Sequence, residues 1–134
     1  IPLKPKLRDF ILRNPINHMT VLINKKKIMK FGLYPKIKFK EDYALWFKSH
    51  LKGLKIENLN DILVKTQVND NFFKRRKNYI SLISEFKFLF YILKTNFFVG
   101  FILFPITILR VSFLILPEFF YKKIFISFLR SKKI

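Results

Sequence analysis

Glu41 and Asp42 stand side by side at the head of Glu41-Asp42-Tyr43-Ala44-Leu45-Trp46, where a loop gives way to apolar residues at helical spacing. Two adjacent carboxylates there can divide the work. One caps the helix, while the other faces a cleft and takes a proton from a hydroxyl that attacks an activated carbon, which is general-base catalysis. The same pair also serves as an ordinary acidic first turn, which the helix dipole favours. Asn14 and His18 lie upstream in Arg13-Asn14-Pro15-Ile16-Asn17-His18. Trp46 offers a face for a sugar ring, or else packs in the core. Arg75 and Arg76, in a Lys-Arg-Arg cluster, can pair with phosphates or form a solvated basic turn.

These residues need elements to position them. Asn24 is a candidate N-cap for a helix over residues 25–31, with Gly32 at its C-cap and Pro35 blocking its continuation. Residues 41–52 read as a helix that buries Tyr43, Trp46, Phe47 and Leu51 and stops at Gly53. Residues 19–23, 55–59 and 62–68 read as short strands, the last by its alternation of Ile62, Val64, Thr66 and Val68 with Leu63, Lys65 and Gln67. Residues 77–94 form an amphipathic pattern with Tyr79, Ile83, Phe86, Phe90 and Leu93 on one stripe. Residues 95–109 carry no charge and are interrupted at Gly100 and Pro105. A spanning helix needs about 20 apolar residues. Arg110 near its centre would cost roughly 2.5–3.5 kcal/mol, so an in-plane or re-entrant arrangement is expected. The tail from Tyr121 alternates basic and apolar residues.

Composition narrows the partners. The 134 residues include 27 basic and 8 acidic side chains, a formal net charge of +19, and 18 phenylalanines. Such an excess suits an anionic partner: nucleic acid, an acidic lipid surface or a phosphorylated small molecule. An AT-rich coding sequence would also raise Lys, Ile, Asn and Phe together. The absence of cysteine removes disulfides, thiolate metal sites and cysteine nucleophiles. Residues 1–13 alternate charge and proline and show no signal-peptide core. No RNP, zinc-finger or helix-turn-helix pattern is present, and the uncharged run over 95–109 does not suit a nucleic-acid binder. A small cationic membrane-associated protein without enzymatic activity remains a competing class.

The order Arg13-Asn14-Pro15-Ile16-Asn17-His18, Gly32-Leu33-Tyr34-Pro35, Glu41-Asp42-Tyr43-Ala44-Leu45-Trp46, Ile62-Leu63-Val64-Lys65 and Lys74-Arg75-Arg76 resembles the C-terminal half of family 2 glycosyltransferases that build bacterial exopolysaccharide and capsule. The resemblance covers about residues 10–76, with a weaker echo beyond. It departs at Phe31-Gly32-Leu33-Tyr34, where the family has Gly-Gly-Tyr, and at Thr66-Gln67-Val68, where the family strand ends Tyr-Arg-Val. It implies an α/β fold: residues 1–77 as the acceptor side of a GT-A-like, Rossmann-like catalytic domain, and residues 78–134 as a helical, membrane-associating extension. It implies an inverting transfer from a nucleotide-sugar donor to a saccharide or lipid-linked acceptor, with Asp42 as base and Glu41 in support. Asn14, His18, Trp46, Arg75 and Arg76 become substrate-binding candidates. A divalent metal, Mg or Mn, is implied, with its Asp-x-Asp ligands in a donor-binding half outside these 134 residues. The expected setting is the cytoplasmic face of the bacterial inner membrane, with attachment to its anionic surface as a peripheral or monotopic protein and with no nucleic-acid partner.

Overall fold

The helix opened by Glu41 and Asp42 forms as its spacing predicts and organises the rest. In the computed structural model, which describes residues 1–65 and 76–124, it is α3, Glu41–Leu51. It follows α1 (Leu7–Leu12), a 3-10 turn (His18–Thr20) and α2 (Lys25–Met29), and precedes α4 (Tyr79–Thr95), α5 (Phe97–Ile115) and α6 (Glu118–Ile124). Gly53, at φ 89°, takes the left-handed turn that releases the chain from α3. Asn24 caps α2 by accepting from the Lys27 N–H at 3.0 Å, and Gly32 follows with φ 95°.

One apolar cluster joins the two halves of the sequence. Phe10 of α1, Tyr43, Leu45 and Phe47 of α3, Phe88 and Ile92 of α4, and Leu103 of α5 are all buried in it. Tyr43 stacks on Phe88 with ring centroids 4.4 Å apart, and Phe10 lies 5.5 Å from Phe47. Contacts of this kind contribute about 0.5–1.5 kcal/mol each beyond the area they bury.

Helices α4 and α5 form a tight antiparallel hairpin. Asn96 caps α5 by accepting from the Val99 N–H at 3.1 Å. A Cβ added to Gly100 would stand 2.6–2.7 Å from Leu93, so glycine is what lets the two backbones approach. The expected interruption at Gly100 and Pro105 does not occur, and α5 runs unbroken through both. Proline removes one N–H from the helix ladder. Here the helix continues through it, with Leu103 and Thr107 buried on either side.

Two expectations need correction. The buried face of α4 consists of Ser81, Ser84, Glu85, Phe88, Leu89 and Ile92, while Tyr79 and Phe90 of the expected stripe are exposed. No strand forms among the described residues, so the α/β class is not seen there. Residues 19–23 hold part of the 3-10 turn. In residues 55–59 a backbone bond from the Asn58 N–H to the Leu3 carbonyl ties the stretch to the N-terminal loop. Ile62 and Leu63 are exposed, and residues 66–68 of that run lie outside the described residues. A strand needs a neighbouring strand to satisfy its backbone groups, and none of these segments meets one among the described residues.

Candidate functional site

Asp42 lies in the first turn of α3, and Asn14 lies just beyond α1, 28 positions earlier in the chain. The Asn14 side chain is held at both ends. Its Oδ1 accepts from the Ile16 N–H at 3.2 Å, closing an Asx turn around buried Pro15. Its Nδ2 donates to Asp42 Oδ2 at 3.1 Å. An amide donor so fixed orients the carboxylate while leaving its other oxygen available.

The pair lines a cleft of about 460 Å³. Its walls bring Arg13, Phe39, Lys40 and Tyr43 from the first half together with Arg76, Glu85, Arg110, Leu114 and Tyr121 from the second. Phe39 is the one non-glycine residue with positive φ (66°) among the described residues, and it sits two positions before Glu41. A left-handed bulky residue costs about 1–2 kcal/mol, and such strain gathers at sites whose surroundings fix it.

Three of the residues lining the cleft, Lys40, Glu85 and Arg110, form a buried ionic network. Lys40 Nζ pairs with Glu85 Oε1 at 2.7 Å, and Arg110 Nη1 lies 3.7 Å from Glu85 Oε2. Arg110 Nη2 also donates to the carbonyls of Ile11 and Leu12, at 2.8 and 2.9 Å, and to the Tyr43 hydroxyl at 3.2 Å. The Tyr43 hydroxyl in turn donates to the Phe10 carbonyl. Burial pulls Lys40 below the ordinary lysine value; Glu85 opposes this, Arg110 adds to it, and Asp42 also opposes it. Burial pushes the Tyr43 phenol up to about 12 against the pull of Arg110.

The structure therefore brings Asn14, Asp42 and Arg76 to one cleft and leaves other candidates off it. Glu41 is exposed and does not line it. Trp46 is buried, with its ring 6.1 Å from His18 and 6.5 Å from Tyr34, and it borders a second cavity among Ile16, Ile28 and Ile56. Of these rings only Trp46 is packed into the core around α3, while His18 and Tyr34 are exposed. Arg75 lies outside the described residues. Among the described residues no group of three or more His, Asp or Glu side chains comes together as a metal-binding cluster.

Sequence reasoning missed Lys40, Glu85 and Arg110. A signal was present: Glu85 is the only acidic residue between Asp70 and Glu118, and Arg110 is the only charge between Lys94 and Glu118. Two lone opposite charges on apolar helices need partners, and each supplies one for the other.

Comparison with known proteins agrees with the resemblance. The chain is 35% identical over 123 residues to a UDP-Gal:α-D-GlcNAc-diphosphoundecaprenol β-1,3-galactosyltransferase of Escherichia coli, covering 87% of this chain and 44% of that protein. It is 31% identical over 116 residues to an amylovoran biosynthesis glycosyltransferase of Erwinia amylovora, covering 84% and 44%. It is 34% identical over 122 residues to an uncharacterized glycosyltransferase of Haemophilus influenzae, covering 89% and 44%. No protein-family model and no solved structure matches the chain. Over most of its length the chain is similar to these bacterial glycosyltransferases, and it spans 44% of the length of each of these curated relatives.

Proposed function

We propose that the chain is the acceptor-side, C-terminal part of an inverting glycosyltransferase and that Asp42 is its general base. Asp42 takes the proton of an acceptor hydroxyl as that oxygen attacks the anomeric carbon of a nucleotide-sugar. The bond to the nucleoside diphosphate breaks as the new glycosidic bond forms, and the configuration inverts in this single displacement. The observation that carries the reading is the Asn14–Asp42 hydrogen bond in a cleft whose walls also include Arg13 and Arg76. A positively charged wall suits a diphosphate, whether on the donor or on a lipid-linked acceptor. The name of the Escherichia coli relative, with a UDP-sugar donor and a diphosphoundecaprenol acceptor, supports both partner classes.

The nucleotide-binding part, with its α/β sheet and its Mg or Mn ligands, belongs in this reading to the remainder of the enzyme. A division near residue 77 assigns the base to the first stretch and the membrane surface to the second. Helix α5 is long and apolar enough to cross a bilayer by length and composition, and only 22% of its apolar window is buried. Arg110 ties one face of it to α1 and α4, while Phe98 and Phe101 on the outside are 79% and 70% exposed. A helix tethered on one side and bare on the other suits the plane of an anionic leaflet, and a net charge of +19 adds attraction. The proposed location is the cytoplasmic face of the inner membrane, where nucleotide-sugars and lipid-linked acceptors meet.

The test is to read the DNA immediately upstream of Ile1 in frame, express the whole reading frame, and assay transfer of labelled sugar into the lipid fraction of membranes. Transfer supports the proposal. An upstream stop codon, or a whole product that binds anionic vesicles without transferring sugar, would favour the non-enzymatic cationic membrane protein instead.

A further inference from the structure

Glu85 is a buried carboxylate on α4 that the proposed reaction does not use. Its two oxygens face two cations from different parts of the chain: Lys40 at 2.7 Å and Arg110 at 3.7 Å. Lys40 is the N-cap of α3, two positions before Asp42. Arg110 grips the Ile11 and Leu12 carbonyls at the end of α1, two positions before Asn14. One carboxylate therefore restrains, through one cation each, the segment carrying the candidate base and the segment carrying its amide donor.

We propose that Glu85 is a positioning residue that holds the Asn14–Asp42 pair in register through Lys40 and Arg110. The inference rests on Asp42 being the base. It adds that the base is set by a charge balance reaching from α4 and α5, the helices that carry the exposed apolar face.

Two physical features support it. A buried ion pair is a poor source of net stability, since desolvation offsets much of the attraction, so a network of this kind is a candidate for a geometric role. The network is also electrostatically continuous with the cleft, because Asp42 acts on the charge of Lys40. The charged and titratable groups lining the cleft with Asp42 are Arg13, Lys40, Tyr43, Arg76, Glu85, Arg110 and Tyr121. Removing one member changes the charge near Asp42 by one unit of known sign.

Glu85→Gln leaves two cations without their carboxylate. The excess positive charge favours ionised Asp42, so the acid limb of the pH–rate profile moves to lower pH. Lys40→Met leaves the carboxylate less compensated and moves that limb to higher pH. Each shift is expected at about half a pH unit or more, below the roughly 1–3 units of a direct charge contact. The double variant Glu85→Gln/Lys40→Met restores the charge balance and returns the limb toward its original position.

The experiment measures pH–rate profiles for donor-saturated sugar transfer by the whole enzyme and these three variants, with Asp42→Asn as control. Opposite shifts in the single variants, or the double variant back at the original limb where a single variant does not fold, support the proposal. Lower rates with an unmoved limb in the folded variants, while Asp42→Asn is inactive, overturn it and leave the base assignment standing. An active Asp42→Asn removes the base assignment itself, and the positioning role falls with it.

Discussion

Asn14 contributes one hydrogen bond to Asp42 and spends its other amide atom on its own turn, so its replacement has a local meaning. Asn14→Ala removes the donor and leaves the buried Pro15 turn without its Asx bond. Transfer by the whole enzyme should fall about tenfold or more in kcat, with a smaller change in KM for the donor, as for a group that acts on the reacting carboxylate. His50 gives a second test at this scale. It stacks on Phe10 at 4.5 Å, and burial holds it below the usual histidine value although Asp9 opposes. Above pH about 6.5, where both states are neutral, its contribution is fully present. As the pH falls through that value, the unfolded chain takes up the proton first, so stability drops until the folded histidine also titrates. Thermal midpoints measured between pH 7.5 and 5 should decline, and His50→Phe, which keeps the stacking, should flatten part of that decline. Of the candidate site, Asn14, Asp42 and Arg76 were legible through the ordered motifs that carry the resemblance. Lys40 was not, because a lysine among 27 basic residues has no local mark.

Local signals served well for elements with ends. Asn24, Gly32, Gly53 and the acidic turn at Glu41 set the bounds of α2 and α3 close to where the sequence pattern puts them. They failed on α4, because a hydrophobic stripe identifies a face that avoids water and does not say what covers it. The face turned to the core carries Ser81, Ser84 and Glu85 along with Phe88, Leu89 and Ile92, while Phe86 and Phe90 are left outside. The expected strands failed for a related reason: alternation needs a sheet to join, and none is formed among the described residues. The close approach of α4 and α5 at Gly100 is testable. Gly100→Val would drive a side chain into Leu93, including its Cα at 2.7 Å, where backbone must move. Overpacking of this kind costs about 1–3 kcal/mol, and the variant should melt several degrees lower, whereas Ser112→Ala on the exposed side of α5 should not.

For the whole molecule, the buried network and the bare face belong to the same helices. Arg110 turns inward to α1 and α4 while Phe98 and Phe101 remain outside, so contact with a membrane and positioning of the cleft share one framework. Binding to vesicles containing anionic lipid should weaken on the order of tenfold or more in Phe98→Ser/Phe101→Ser, since each exposed phenylalanine is worth about 1.5–3 kcal/mol when fully buried. Added salt should reduce the affinity of the original protein only in part, because screening removes the electrostatic share and leaves the apolar one. The central claim is that the Asn14-oriented carboxylate of Asp42 removes the acceptor's proton. The most direct measurement compares single-turnover transfer and donor affinity for the whole enzyme and its Asp42→Asn variant. The account predicts a rate lower by about 10²–10⁴ with donor affinity unchanged, whereas an Asp42→Asn enzyme that transfers sugar at the original rate would contradict it.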